Sequence, residues 1–424
     1  MNLLVVSSIS RYAGIEVGGA ETSLQLIAEK FAQLGEHVVF LTHRRSFIPG
    51  CTRQHITPML LTQQPNPMDE SNRKPAGGME KSGNGIDVYF LTCFRWPYLK
   101  GWLFPEQGEQ FRTYQRRRWI AHIVKSRNID LIHTYDTIND TADVLKAREI
   151  YHLKIKVVKR VAGLFWAHQL NLGMVSREKV EWVFNSVDAV NFLTARQRDL
   201  VYQTAQDHNI HLHPKKEMIL DIGINLDLFH YQALERKDHV FKIVCVTRFA
   251  AYQKRPELLI EALQRIGNPN IVVEFVGIGD SLEYCRHLTQ KLNLNDRVTF
   301  HGYVAQKELI KIVSASDLFA LPTKYEGMPK AMLEAMALKI PCLVSDIVPM
   351  NAYVQDGQNG FLAQNFPEHW ARKIEEIYLN RHRLPEIVQK GWEFVSQNYD
   401  ANQNILKYRQ QFQELLACSL PKIV

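Results

Sequence analysis

The chain has 424 residues, which at about 100 to 200 residues per domain corresponds to two or three domains. Its hydrophobic share of 46% and charged share of 22% are close to globular averages, and they exclude collagen, a coiled coil and wholesale disorder. The net charge of +7 is a mild basic excess, which favours anionic partners without naming one.

The six cysteines are widely spaced and form no Cys-x-x-Cys pair, so neither a disulfide framework nor a zinc site is indicated. The first residues lack the basic region of a signal peptide. No apolar run approaches the ~18 residues of a spanning helix. We therefore expect a cytoplasmic protein in a reducing compartment, able to sit peripherally on the inner face of a membrane.

Short apolar runs alternate with helix-sized segments in the first half, which is the pattern of βαβ units around a parallel sheet. The first strand is predicted at Leu3–Ser7, and apolar residues at three- and four-residue steps then predict a helix ended by Gly35. Residues 62–86 are rich in Pro, Gly, Asn and Ser and are interpreted as a mobile surface insertion. The later strands are predicted at 38–41, 130–135, 155–161, 189–193 and 218–220.

A polar stretch at 235–239 separates this series from a second one. The second series has strands predicted at 241–246, 271–276, 298–300, 318–321 and 341–344. We expect two doubly wound α/β domains, 1–237 and 238–400, with ligands in the cleft at the carboxyl ends of their strands. The last segment, 401–424, has helical periodicity and is expected to pack back toward the N-terminal domain.

Gly18 and Gly19 lie between the first strand and its helix, where free backbone N–H groups attract phosphate. A plain tight turn explains the two glycines equally well. The loop lacks both the Gly-x-Gly-x-x-Gly spacing and the Gly-Lys-Ser/Thr of a P-loop, which disfavours a simple dehydrogenase or nucleoside triphosphatase.

Arg248 and Lys254 follow the first strand of the second domain. Two such cations on a loop that opens onto the cleft can clamp a diphosphate without metal, because Arg bonds bidentately and Lys acts as a point charge. The alternative is a solvated loop that carries ordinary basic residues.

The segment 321–337 combines a strand, a Pro/Gly loop and a helix. Glu326 on the loop and Glu334 in the helix provide two acceptor-only carboxylates, which suit a polyhydroxylated ligand. Between them the amides of Gly327, Met328 and Lys330 can point at an anion, since Pro329 removes only its own donor. In the alternative interpretation Glu334 is a surface charge and the methionines fill the core.

These segments, together with Phe275–Asp280, Phe300–Val304 and Asp356–Leu362, resemble the C-terminal domain of the family 4 retaining glycosyltransferases, which have the GT-B fold. The resemblance is strong over residues 241 to 380 and weak in the N-terminal half. It implies two Rossmann-like domains that face each other across a cleft, with the donor bound by the second domain and the acceptor by the first.

The resemblance also implies roles for the candidate residues. Arg248 and Lys254 would neutralise the diphosphate of a nucleotide sugar, and Glu326 would hold hydroxyls of the transferred sugar; these three are the catalytic candidates. The substrate-binding candidates are Gly18 and Gly19 at the diphosphate, Gly277 and Val304 in the nucleoside pocket, Glu334 at the ribose, and Gly327, Met328, Pro329 and Lys330 beside the sugar.

The implied reaction moves a hexose-type sugar from a UDP- or GDP-sugar to a hydroxyl of a glycan, lipid-linked or small-molecule acceptor, with retention and without metal or cofactor. It fits polysaccharide biosynthesis. Many relatives have a histidine where this chain has Ala162-Gly163, and the segment 347–352 lacks the usual glycines and glutamate. A catalytically silent nucleotide-sugar-binding homologue that acts as a partner or regulator is therefore the alternative function.

Basic and aromatic residues are interleaved over 94–127, and six basic residues without an acidic one lie between Arg112 and Arg127. This composition fits an anionic membrane surface, where rings bury and cations pair. An ordinary helix with a solvated basic face explains it equally well. A nucleic-acid binder, which would require steep salt dependence, is a third interpretation, and we do not expect nucleic acid as a partner.

Overall fold

The computed structural model describes residues 1–8, 19–46, 50–56, 85–94, 105–229, 240–348 and 350–418. The chain divides into two compact units, one formed by Met1–Ile222 with Asn402–Val424 and one by Gly223–Ala401. The chain thus leaves the first unit at Ile222, before the boundary predicted at 237 to 238. Residues 230–239, which contain that predicted boundary, lie outside the described residues.

Eight strands form one sheet in the described part of the first unit, in the order β3-β4-β2-β1-β5-β6-β7-β8. Neighbouring strands are parallel, except that β3 pairs antiparallel with β4 at the edge. The core residues of β1, Leu3 to Val6, are buried, as expected for a parallel sheet covered on both faces. The strands are β1 Asn2–Val6, β2 His37–Ser46, β3 Gly50–Ile56, β4 Ile86–Phe94, β5 Leu131–Thr134, β6 Lys156–Val161, β7 Ala189–Phe192 and β8 Glu217–Ile219.

Three helices of this unit, α3, α5 and α6, begin at a residue whose side chain caps the helix. Thr137, Ser176 and Thr194 each accept a hydrogen bond from an N–H of the following first turn, which satisfies a donor that the helix leaves unpaired. The helices are α1 Gly19–Gln33, α2 Pro105–Ser126, α3 Ile138–Ile150, α4 Phe165–Asn171, α5 Arg177–Ser186 and α6 Ala195–Asp207.

The second unit has six parallel strands in the order β11-β10-β9-β12-β13-β14. Numbered within the unit, this order is 3-2-1-4-5-6, the arrangement of the Rossmann fold. The strands are β9 Phe241–Val246, β10 Ile271–Val276, β11 Val298–Gly302, β12 Leu318–Leu321, β13 Cys342–Ser345 and β14 Phe361–Ala363. The helices are α7 Pro256–Arg265, α8 Leu282–Lys291, α9 Gln306–Ser314, α10 Lys330–Ala337, α11 Met350–Tyr353, α12 Pro367–Leu379 and α13 Leu384–Asn398, with 3-10 turns at Leu226–Leu228 and Arg381–Arg383.

The last helix, α14 (Ala401–Ala417), packs within the first unit. The Tyr408 hydroxyl is buried, 2.8 Å from the Leu220 carbonyl oxygen and 3.0 Å from Asn191 Oδ1. Phe412 stacks on Phe31 of α1, with ring centroids 5.6 Å apart. These contacts bury one face of the helix against the sheet and α1.

Three strands were not predicted from the sequence. β4 begins at Ile86, which the predicted insertion 62–86 includes, so the insertion is corrected at its C-terminal end; residues 62–84 lie outside the described part of the chain. β3 and the three-residue β14 were also missed. None of the helices among the described residues is both long and apolar enough to cross a membrane.

Candidate active site

The strand order of the second unit defines where a ligand is expected. β9 pairs with β12, while β10 and β11 lie on one side of this pair and β13 and β14 on the other. Such a reversal opens a crevice at the carboxyl ends of the two central strands. Arg248 and Lys254 follow β9, and Glu326 follows β12, so the three catalytic candidates lie on the two loops that border this crevice.

Main-chain contacts join the two loops. Lys254 and Thr323 form an isolated antiparallel bridge, the Arg255 N–H donates to the Pro322 carbonyl over 3.1 Å, and the Lys324 N–H donates to the Gln253 carbonyl over 2.8 Å. Because these bonds fix the backbones on both sides, Lys254 and Glu326 meet although 72 positions separate them in the chain.

Lys254 and Glu326 form a buried ion pair between Nζ and Oε1. Their side chains are 12% and 7% exposed, so the pair is largely removed from water. Burial lowers the pKa of Lys254 below its usual value, and the nearby Arg248 guanidinium adds to the decrease. The site thus holds a cation whose charged form has lost much of its hydration and which an incoming anion would stabilise.

Arg248 lies on the same loop as Lys254, and its side chain is exposed. Its Nη2 donates to the Tyr252 hydroxyl over 2.8 Å. The Tyr252 ring lies 6.3 Å from the ring of Tyr325 on the opposite loop. One largely buried and one exposed cation thus lie on the same loop and offer an anion both a point charge and a bidentate donor.

Gly277 and Gly279 follow β10 and allow two loops to approach each other. A Cβ at Gly277 would lie 1.8 Å from the Thr247 carbonyl oxygen, and one at Gly279 would lie 2.3 Å from that of Phe249. Their φ angles of 135° and 153° also exclude most side chains. The Gly277 N–H donates to the Gly302 carbonyl over 2.8 Å, which joins the loop after β10 to the end of β11, two residues before Val304.

The loop Gly327–Pro329 leads into α10, whose first residue is Lys330. The Lys330 N–H donates to the Met328 carbonyl over 2.9 Å, so this amide is engaged, contrary to the expectation that it points at an anion. Across the described residues, the Gly327 and Met328 amides have no acceptor. They are the loop donors available to a ligand.

Glu334 lies one turn into α10 and is half-buried. It borders a small, mostly apolar depression that is lined by Phe229, Val246, Leu309, Ile310, Val313, Ala331, Ala335 and Leu338. A carboxylate at the edge of an apolar pocket suits a ligand with a flat apolar part and adjacent hydroxyls.

Two predicted residues, Gly18 and Gly19, belong to the first unit. Gly18 lies outside the described residues, and Gly19 is the first residue of α1. After β6, Ala162 and Gly163 are half-buried and lead into α4, where His168 packs against Phe165 with ring centroids 6.3 Å apart.

The sequence did not indicate four polar residues around Glu326. Gln253 donates from Nε2 to the Tyr325 carbonyl over 3.1 Å and to Glu326 Oε2 over 3.4 Å. Thr323, Ser345 and Asn365 form a hydrogen-bonded group beneath the same loop. Their spacing in the chain follows no motif, and only the fold brings them together.

The basic segment of α2 divides into two sets. Arg116 pairs with the buried Asp140 over 2.6 Å, Arg117 pairs with Asp143 over 3.0 Å, and Arg127 contacts Asp87 over 3.4 Å. Arg112, Tyr114, Arg118, His122 and Lys125 are exposed instead. Half of the six predicted surface cations are therefore internal ion-pair partners, and residues 95–104 of the aromatic stretch lie outside the described residues.

No group of three or more His, Cys, Asp or Glu side chains in the described ranges is arranged to hold a metal ion. The polar groups at the crevice are instead two cations, two carboxylates and free amides.

Two Rossmann-like units, each built on a largely parallel sheet, define an α/β protein of the GT-B fold. Residues 229–392, which lie within the second unit, match the family Glycosyl transferases group 1.

Three known proteins illustrate the similarity. The chain is 30% identical over 267 residues to the UDP-Gal:alpha-D-GlcNAc-diphosphoundecaprenol alpha-1,3-galactosyltransferase of Escherichia coli, an alignment that covers 57% of this chain and 64%, less than two thirds, of that enzyme. The fold matches sucrose-phosphate synthase from Thermosynechococcus elongatus (TM-score 0.74, 18% identity, 99% of this chain and 100% of that one). It also matches Anabaena Alr3699/HepE in complex with UDP and glucose (TM-score 0.70, 17% identity, 99% and 100%).

Proposed function

We propose that the protein is a retaining, metal-independent glycosyltransferase that moves a hexose-type sugar from a UDP- or GDP-sugar to a hydroxyl of a glycan, lipid-linked or small-molecule acceptor. The observation that carries this proposal is the buried Lys254–Glu326 pair at the strand-order reversal of the second unit. In the proposed site the lysine serves the diphosphate and the adjacent glutamate serves the sugar hydroxyls.

In this proposal Arg248 and Lys254 neutralise the diphosphate, while Glu326 and Glu334 accept hydrogen bonds from the transferred sugar and the ribose. Charge grows on the diphosphate as the bond to the sugar breaks. Fixed cations in a partly dry site therefore stabilise the transition state more than the bound donor. The Gly327 and Met328 amides add donors without a change of charge.

The proposed reaction breaks the bond between the anomeric carbon and the diphosphate oxygen and forms a bond from that carbon to the acceptor oxygen on the same face. The acceptor proton passes to an oxygen of the departing phosphate. No protein carboxylate is needed as nucleophile, in contrast to most retaining glycosidases.

The names of the similar proteins support the donor and acceptor classes. The Escherichia coli enzyme is named for UDP-galactose and a diphosphoundecaprenol-linked acceptor, and the Anabaena structure contains UDP and glucose. We therefore place a UDP-hexose first among the donors, and we assign a polysaccharide-building role with the acceptor bound by the first unit.

The test is nucleotide release from UDP-glucose, UDP-galactose, UDP-N-acetylglucosamine and GDP-mannose, with and without EDTA. We expect release from one donor, unaffected by EDTA and lost in Glu326→Gln and Lys254→Ala. Glu308→Gln and Lys311→Ala are matched controls, because these residues form an exposed ion pair in the same unit and should leave release unchanged. Release that survives both site variants would refute the proposed roles.

The alternative, a silent nucleotide-sugar-binding homologue, is favoured by Ala162-Gly163 after β6. It predicts that a nucleotide sugar raises the melting temperature, as any ligand of the native state does. It also predicts no turnover with any acceptor, so turnover above the Glu326→Gln background would exclude it.

We also propose that the exposed face of α2 contacts anionic lipid at the inner face of the membrane. Tyr114, Arg118, His122 and Lys125 follow one another at steps of four, four and three residues and lie on one exposed helix face. Exposed cations beside aromatic groups suit a negatively charged headgroup layer.

Vesicle co-sedimentation tests this surface. Arg118→Ser with Lys125→Ser should weaken binding to phosphatidylglycerol vesicles roughly 30-fold, at about 1 kcal/mol per cation. Lys291→Ser with Lys307→Ser removes the same charge from exposed positions of the second unit and serves as the control. Equal loss in both pairs would reduce the effect to net charge, and tighter binding to duplex DNA than to vesicles would favour the nucleic-acid interpretation.

A further inference from the structure

Gln253 contacts the candidate sugar-binding carboxylate directly. Its Nε2 lies 3.1 Å from the Tyr325 carbonyl oxygen and 3.4 Å from Glu326 Oε2, while the other oxygen of Glu326 faces Lys254. The two oxygens of one carboxylate are thus held by different residues, one charged and one neutral.

A second layer of hydrogen bonds lies beneath this contact. The Thr323 hydroxyl donates to the Tyr325 carbonyl over 2.9 Å, and the Thr323 N–H donates to Ser345 Oγ over 2.9 Å. Ser345 Oγ donates to Asn365 Oδ1 over 2.6 Å, and Asn365 Nδ2 returns to the Thr323 carbonyl over 2.9 Å.

This closed set of bonds ties the loop after β12 to the end of β13 and to the second residue after β14. Thr323 and Ser345 are fully buried and Asn365 is half-buried, so a polar group of this set that lost its partner would be costly. The Tyr325 carbonyl, which receives both the Thr323 hydroxyl and the Gln253 amide, connects this layer to Glu326.

We infer that Gln253, supported by Thr323, Ser345 and Asn365, is a positioning residue that orients Glu326 for the sugar part of the donor. The inference rests on the proposed function. When a diphosphate attracts the Lys254 ammonium, the neutral Gln253 amide continues to hold Glu326 Oε2. Two neighbouring residues of the loop after β9 thus have separate tasks, since Lys254 serves the diphosphate and Gln253 serves the sugar through Glu326.

Gln253→Met tests the inference, because methionine matches the length of the side chain and removes the amide. We expect the Kd for UDP, or for GDP if the donor is a GDP-sugar, to stay within about twofold. We expect kcat/KM for the donor that the wild type uses to fall roughly 10- to 100-fold, the effect of losing a hydrogen bond to a charged group. A merely structural role would weaken nucleotide and nucleotide sugar together, and that result would overturn the inference, as would unchanged kinetics.

Two controls narrow the interpretation. Gln290→Met makes the same substitution at an exposed position of α8 and should change neither constant. Thr323→Val removes only the buried hydroxyl and should reproduce the selective loss of kcat/KM, whereas Thr323→Ser keeps the hydroxyl and should restore it. Equal kcat/KM values for the valine and serine variants would show that the Thr323 hydroxyl does not support Gln253.

A ligand-free measurement separates this inference from the proposed function. In crystals of Gln253→Met we expect the Glu326 carboxylate to leave its wild-type position by more than about 0.5 Å, the tolerance of a productive site. A carboxylate that stays in place would overturn the positioning role. Wild-type protein that neither binds nor uses any of the four donors would instead contradict the proposed function and leave this crystallographic result decisive for Gln253.

Discussion

Replacing the buried ion pair one residue at a time should destabilise the second unit much more than replacing both residues. Lys254 and Glu326 are 12% and 7% exposed, so Lys254→Met or Glu326→Leu leaves one buried charge without its partner. Breaking a buried pair costs about 3 to 5 kcal/mol. We expect about 3 kcal/mol for each single variant, because Gln253 still donates to Glu326 and burial already lowers the pKa of Lys254.

The double variant removes both desolvated charges and should cost less than about 2 kcal/mol, far below the sum of about 6 kcal/mol. Urea unfolding, followed by hydrogen exchange in peptides of the second unit, measures all three variants. Costs that add within about 0.5 kcal/mol would show that the two groups are independent and would refute the reasoning.

The pH dependence gives a second check on the same pair. In Glu326→Leu, Lys254 keeps a folded-state pKa below the ordinary 10.5, so the unfolded chain binds the proton more readily. Stability should therefore fall as the pH drops from about 10.5 toward the folded pKa and then level off. The double variant lacks the lysine and should show no such slope.

Three further predictions concern stability elsewhere. Gly277→Ala should lower the free energy of unfolding by several kcal/mol, because its Cβ would meet the Thr247 carbonyl oxygen at 1.8 Å. Gly267→Ala is the control in thermal unfolding, since a Cβ there meets nothing within 4 Å. Equal melting temperatures of the two variants would contradict the close approach at Gly277. Burial and Arg160 lower the pKa of His133 to about 3, so wild-type stability should decline as the pH falls from 6.5 toward 3. His133→Leu should flatten that decline, and parallel pH profiles of the two proteins would contradict this role of His133. Tyr408→Phe should destabilise the docking of α14 by about 1 to 2 kcal/mol, because Leu220 and Asn191 lose a buried donor. The loss should appear as faster hydrogen exchange in that helix, and unchanged exchange would exclude this contribution.

Much of the fold could be predicted because local patterns decide it. Short apolar runs indicate the strands, and their alternation with helix-sized segments predicts the two parallel sheets. β4 was missed because it begins directly after a polar, glycine-rich stretch, and β14 because three residues are too short to establish a period.

The candidate site could be predicted only in part. Arg248, Lys254, Glu326 and Glu334 stood out by residue type and by their place after strands. Their pairing could not be predicted, since Lys254 and Glu326 are 72 positions apart and only the order of β9 and β12 joins their loops. The ion pair of Arg116 with Asp140 could not be predicted either, because the basic segment contains no acidic residue and only the fold brings Asp140 to it.

We propose that the second unit binds a nucleotide sugar and that the transferred sugar keeps its anomeric configuration. The most direct test is a proton NMR time course of wild-type protein with an α-linked UDP-hexose, or GDP-mannose, and an acceptor such as an N-acetylglucosamine-diphospholipid analogue. We predict that the nucleotide diphosphate and an α-linked product appear together and that Glu326→Gln abolishes both. A β-linked product would contradict retention, and an α-linked product formed equally by Glu326→Gln would contradict the proposed role of Glu326.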